Sequence, residues 1–123
     1  MGGNSVVPGD VLIIKLPTHY PKGREQEGSR PAIAVGIPQG IIRYPVVVVV
    51  PLTTQVGFWA KKNPSLYQTI PQGAGGIPQH SIALIDQVRA IDIQRVQAYL
   101  GSLEEPTYAP IRNSLLKLLQ GEL

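Results

Sequence analysis

Side chains able to do chemistry fall in three short polar runs. The first holds Arg24, Glu25, Gln26 and Arg30 in "KGREQEGSRPAIAV", the second Thr53, Thr54 and Gln55 in "VVVVVPLTTQ", and the third His80, Ser81, Asp86, Gln87 and Arg89 in "QHSIALIDQVRAID". Guanidinium groups, carboxylates and hydroxyls of this kind bind anions and move protons. Strand ends can bring them to one rim of a small barrel, where side chains that the core does not need are available to build a site. Other chemistries are poorly served. The chain has no Cys, its histidines are His19 and His80, and no acidic cluster has ligand spacing, so no metal and no cofactor are expected. "GAGG" at 73–76 runs into "IPQH" instead of a helix start and lacks the lysine and hydroxyl of a P-loop, which leaves a flexible turn. Ser81 beside His80, with Asp86 downstream, sketches a nucleophile and base, but no nucleophile elbow surrounds them. Taken singly, each run also fits a solvated turn with an ordinary ion pair such as Glu25 with Arg30.

The elements that must position these groups are mostly strands. Over 123 residues, 43% apolar and 15% charged content excludes a disordered chain, and 13 Gly with 12 Pro favours many turns and short strands in one domain. "VVPGDVLIIKL" is a turn feeding a strand from Asp10 to about Leu16, and "PTHYPKGREQEGS" is a long surface loop of the kind that carries function. "RPAIAVGI" is a second strand, with Pro31 at its first residue or on an edge. "PVVVVVPL" is a strand buried on both faces. "TTQVGFWAKKNPS" reads as irregular, "LYQTI" as a short strand, "PQGAGGIPQH" as a glycine-rich turn, and "SIALIDQVRAI" as renewed apolar alternation ending at Asp92. There the period changes: Asp92 is a good N-cap, Ile93, Val96 and Leu100 recur at helical spacing and Gly101 closes the element, which predicts a short helix. A second helix is predicted over about Pro110–Gln120, with Ile111, Leu115, Leu118 and Leu119 on one face and Gly121 as its stop. Strands first and helices last imply a mainly β fold, a small barrel-like sheet with helices on an end or side. Residues 1–7 are expected to be a disordered tail.

A net charge of +3 favours a polyanionic partner without demanding one. The lack of Cys, of a basic-then-apolar leader and of any apolar run near the ~20 residues of a membrane span points to a soluble cytoplasmic protein with no membrane association.

In order, "PGDVLIIKL", "GREQEGSRPAIAV", "VVVVVPLTTQ", "GIPQHSIALIDQVRAID" and the leucine-rich tail resemble the MazF/PemK family of toxin endoribonucleases from bacterial toxin–antitoxin pairs, from Pro8 to Leu119. The resemblance implies an SH3-like barrel, also CcdB-like, with a short helix and a C-terminal helix, in a homodimer. It implies metal-independent, sequence-specific cleavage of single-stranded RNA, with the ribose 2′-OH as nucleophile and 2′,3′-cyclic phosphate and 5′-OH ends. A cognate protein antitoxin would occupy the same groove. By position, Arg30 before Pro31 matches the catalytic arginine, Thr53 in "PLTTQ" the catalytic threonine, and Glu25 an acidic position used in some members. Arg24, Gln26, Thr54, Gln55, Ser81, Asp86 and Gln87 fall on runs that would hold RNA. Arg24 stands where relatives often carry Ser or His, and Leu84 where one branch carries a catalytic Arg, so that branch's Arg/Asp/His scheme does not transfer.

Such cleavage needs a base for the 2′-OH, charge stabilisation for the phosphorane and a proton for the leaving 5′ oxygen. An arginine, with a pKa above ~12, is a poor base and a good phosphate clamp. Arg30 is therefore assigned the developing charge, Glu25 or a water the proton, and Thr53 the phosphate or leaving oxygen. Phe58 and Trp59 are the aromatic candidates for base stacking, and Lys61, Lys62 and Arg43 for steering phosphates. The rival readings are a non-catalytic module of the same barrel that binds nucleic acid or a topoisomerase, and an inactive relative.

Overall fold

In a computed structural model of the chain, which describes residues 5–17, 23 and 28–123, the apolar runs pair into an antiparallel sheet. Among the described residues it has seven strands: β1 (Asp10–Leu16), β2 (Gly28–Gly36), β3 (Val46–Thr53), β4 (Tyr67–Ile70), β5 (Ser81–Leu84), β6 (Arg89–Asp92) and β7 (Val96–Ser102). A short helix α1 (Phe58–Lys62) lies between β3 and β4, and helix α2 (Glu105–Leu119) ends the chain. The order across the sheet is β4-β5-β3-β2-β1-β7, with β6 on the remaining length of β3. The mainly β class with a C-terminal helix is as expected, but the short helix is α1 and not the segment after Asp92. The end strands β4 and β7 are not paired with each other, so the barrel is open along that seam.

Both faces of the central strands are covered, which is why they read as continuous apolar runs. Val11, Ile33, Val50 and Leu52 join Tyr108 and Ile111 of α2 in one cluster, while Leu12, Ile14, Leu16, Ala32, Ala34, Val47 and Val49 form a second. The five valines of β3 thus split by the period of two, Val47 and Val49 to one side and Val50 to the other. Leu119, expected on the buried face of α2, is 78% exposed. Helix α2 also starts earlier than expected, at Glu105. Pro106 fits its first turn, where N–H groups have no helical partner, and Pro110 sits inside it. Gly121, at φ +77°, ends it as predicted. Of the expected tail, Val6 packs on the second cluster and the Val7 N–H donates to Asp10 Oδ2 at 2.9 Å.

Three other expectations need correction. The predicted helix from Asp92 is a single 3-10 turn, Ile93–Arg95, followed by strand β7. Asp92 does cap, its Oδ1 accepting from Gln94 N at 2.8 Å. However, the edge of β1 offers a ladder for Val96–Ser102, and those pairings outweigh a helical apolar spacing only two turns long. The 81–92 run follows one edge of β3 but is broken by a 3-10 turn at Ile85–Gln87, whose Ile85 is buried in the first cluster. The irregular stretch after β3 contains α1.

The "GAGG" turn is less a flexible loop than a packing device. Gly75 and Gly76 have φ of +60° and +80°, and a Cβ on Gly76 would lie 2.4 Å from the Leu100 carbonyl oxygen of β7. Gly101 is as close from the other side, its Cβ position 2.7 Å from the Gly75 oxygen. Gly76→Ala is therefore expected to cost more than about 3 kcal/mol, from strain plus backbone overlap. Gly73→Ala, also at positive φ but with nothing within 4 Å, should cost only about 1–2 kcal/mol. Urea unfolding of the two variants checks the difference.

Candidate functional site

Strands β2 and β3 pair with the register Ile33↔Val50 and Ala32↔Pro51, and there the ladder stops. Pro31 and Pro51, the prolines at this point, have no N–H to extend it. Continuing the register would set Arg30 opposite Thr53. On its other edge β3 continues, pairing Leu52↔Ala83 and Thr53↔Ile82 with β5. The gap is bridged by a side chain: Arg30 Nη1 donates to the Leu52 carbonyl at 3.2 Å.

This opening is a cavity of about 250 Å³ lined by Ser29, Arg30, Pro31, Leu52, Thr53, Thr54, Gln55 and Ser81. Thr53 is 8% exposed, and its Oγ1 accepts from Gln55 N at 3.2 Å, which folds the chain back at the end of β3. That hydroxyl keeps its own proton to donate. Partial burial lowers the Arg30 pKa from its ordinary value by desolvation, yet a guanidinium remains a cation at neutral pH. A desolvated cation beside hydroxyl donors suits an anion with several acceptor oxygens. Larger hollows of about 670 and 740 Å³, beside α2 and beside the start of β1, contain no guanidinium in their linings.

The structure thus brings together five of the residues singled out in the sequence: Arg30, Thr53, Thr54, Gln55 and Ser81. Asp86 and Gln87 do not line this cavity; they lie in the 3-10 turn beyond the opposite end of β5 from Ser81, about 10 Å or more along the strand. Arg24, Glu25, Gln26 and His19 lie outside the described residues. The Ser81–His80–Asp86 arrangement is not assembled, since the Ser81 Oγ donates to the Gln79 carbonyl at 2.8 Å and Asp86 Oδ2 accepts from the Tyr67 hydroxyl at 2.6 Å. Ser29 and the Leu52 carbonyl were missed as parts of the site. A backbone acceptor exposed by a stopped ladder carries no side-chain signal, and Ser29 reads as loop until β2 is seen to start at Gly28.

Of the aromatic candidates, Phe58 is 80% exposed. Trp59 meets Tyr67 edge-on at 5.0 Å and closes over Gly57, where a Cβ would lie 2.6 Å from the indole nitrogen. It serves packing, joining α1 to β4. Arg43 lies over the Tyr44 ring at 5.2 Å. Among the described residues no three His, Asp or Glu converge as a metal site, and no helix is long and apolar enough to cross a membrane.

Residues 7–119 match the family described as PemK-like, MazF-like toxin of type II toxin-antitoxin system. No curated protein is significantly similar in sequence. Among solved structures, MazF from Deinococcus radiodurans superposes with a TM-score of 0.68 at 22% identity, covering 94% of this chain and 99% of that one. An endoribonuclease in complex with its cognate antitoxin, from a mycobacterial species, gives 0.64 at 18% identity over 95% of both chains. The Mycobacterium tuberculosis toxin MazF-mt6 gives 0.62 at 16% identity, over 90% and 96%. At these identities the likeness is one of fold.

The Asp86 bond raises the Tyr67 pKa, chiefly through the hydrogen bond and then through desolvation and the carboxylate's charge. A phenol whose pKa is raised on folding contributes stability below its unfolded value of about 10, and loses it as pH climbs through the folded value. Phenolate absorbance, with Tyr67→Phe as the blank, should therefore show Tyr67 titrating above an ordinary tyrosine, and Asp86→Asn should bring it down.

Proposed function

Because the chain belongs to the PemK-like, MazF-like toxins of type II toxin–antitoxin systems, we propose that it is a metal-independent endoribonuclease acting on single-stranded RNA in the cytoplasm. The observation that carries this reading is the convergence of Arg30 and Thr53 on one cavity at the stopped end of the β2–β3 ladder. The scissile phosphodiester sits against the Arg30 guanidinium, which binds two of its oxygens and gains in strength as the phosphorane accumulates charge. The 2′ oxygen attacks phosphorus and the bond to the 5′ oxygen breaks, leaving a 2′,3′-cyclic phosphate and a 5′-OH. The 2′ proton passes to Glu25 or to a water held by the backbone. The Thr53 hydroxyl hydrogen-bonds a phosphate oxygen or the departing 5′ oxygen, which it can do while its own oxygen accepts from Gln55 N, and a solvent water supplies the proton that completes the 5′-OH.

Thr54 and Gln55 extend the same wall, and Ser81 supports it from β5. Asp86 and Gln87 contact RNA, in this reading, only if the strand runs well beyond the cavity. The protein works as a homodimer held in check by a cognate protein antitoxin. An endoribonuclease of the same fold has been solved with its antitoxin, which supports that partner class.

Purified protein incubated with mixed RNA in EDTA should yield fragments bearing 5′-OH ends. Arg30→Ala should lower the cleavage rate by at least about a hundredfold, Arg30→Lys should recover little of it, and Thr53→Ala should cost about tenfold to a hundredfold. Far-UV circular dichroism should show all three variants folded. Full activity in Arg30→Ala would overturn the assignment, and tight RNA binding without cleavage by the unaltered protein would favour the non-catalytic module.

A further inference from the structure

The polar lip of the Arg30 cavity continues away from it across the sheet. Ser29, part of the cavity wall, donates its hydroxyl proton to Gln97 Oε1 of β7 at 3.1 Å, a bond that reaches over the intervening strand β1. The residue of β1 on the Ser29 rung is Lys15. One step before it, Ile14 pairs with Val96, so the backbone of Arg95 lies close to Lys15. Lys15, Arg95 and Gln97 are all exposed. A polar row therefore runs from the cavity across β2, β1 and β7.

Lys15 is the exposed residue of a strand whose other positions are buried or half-buried. Lysines often guard sheet edges against pairing, and at Lys15 strand β1 has β2 on one side only, because the β7 ladder stops at Ile14↔Val96. Neither Lys15 nor Arg95 forms an ion pair with a described residue. Asp92, the nearest carboxylate along the chain from Arg95, is occupied in capping Gln94. With their backbones adjacent, the two exposed side chains can reach a common anion, such as a phosphate laid along this row. Gln97 adds direction. With its Oε1 taken by Ser29, its amide N–H groups are the part left to offer a ligand, and an amide of fixed orientation reads a base edge.

We infer that Lys15, Arg95 and Gln97 form a second RNA subsite, in which the single strand leaving the Arg30 cavity over Ser29 lays backbone phosphates against the two cations and a base edge against the Gln97 amide. This rests on the nuclease reading for its ligand. In it, Lys15 and Arg95 supply affinity without sequence preference, and Gln97 contributes preference at one nucleotide flanking the cut.

The test uses a fluorescent single-stranded RNA of about twelve nucleotides with 2′-O-methyl sugars, which has no free 2′-OH and cannot be cut, titrated at several salt concentrations. Each lost phosphate contact lowers the slope of log affinity against log salt by about 0.7 on a single strand. The double variant K15Q/R95Q is expected to lower it by about 1.4 and to bind about tenfold more weakly near 0.1 M salt, while K15R/R95K keeps the slope. Gln97→Ala should keep the slope and relax the cleavage preference at one flanking position in mapped transcripts. An unchanged slope and affinity in K15Q/R95Q would overturn the subsite, and cleavage by the unaltered protein would then leave the nuclease reading standing. A lowered slope in a protein that never yields 5′-OH ends would uphold the cationic row and overturn the nuclease reading. No binding at all by the unaltered protein would overturn both.

Discussion

The hydrogen bond from the Arg30 guanidinium to the Leu52 carbonyl organises this molecule's working end. Two prolines stop the β2–β3 ladder at Ala32↔Pro51, which leaves a backbone acceptor where a rung would have been. A poorly solvated carbonyl without a donor costs roughly 1–3 kcal/mol, so the arrangement stands because a side chain substitutes for the missing N–H. The same side chain is thereby held at the lip of a 250 Å³ opening. A guanidinium positioned by the sheet itself would need little reorganisation to bind an anion.

That position sets the electrostatics as well. Arg30 is half-buried, and its pKa is lowered because water is partly removed from it. Removing water from a cation raises the value of an anion beside it and strengthens every interaction made there. Thr53, almost fully buried on the facing strand, faces no competing acid among the lining residues, for Asp86 is turned to Tyr67. The cavity is thus a place for negative charge, and the Ser29–Gln97 bond and Lys15 carry that character outward over β1.

The rest of the fold keeps this end in place by burying the central strands on both sides. β1, β2 and β3 contribute alternate residues to two apolar clusters, so a slip of one residue in register would exchange the faces of all three. The seam between β4 and β7 does not close. Part of β7 is instead backed by the Gly73–Ile77 turn, where glycine is required because a side chain at Gly76 or Gly101 would strike backbone.

What could be read from residues alone was whatever depends on short-range order. Strand β1 from Asp10 to Leu16, the two-faced burial of the valine run and the stop at Gly121 were all legible, since alternation and glycine are local properties. The contents of 92–102 were not. Ile93, Val96 and Leu100 satisfy a helical spacing as well as a strand, and only the vacant edge of β1, more than seventy residues away in the chain, decides for the strand. The gathering of Ser81 with Arg30, the diversion of Asp86 to Tyr67 and the row from Ser29 to Gln97 likewise belong to the tertiary structure, because each depends on which strands become neighbours. Residue types and periods set which faces must be buried; the pairing of distant strands set which polar groups meet, because a hydrogen bond forms between neighbours in space whatever their separation along the chain.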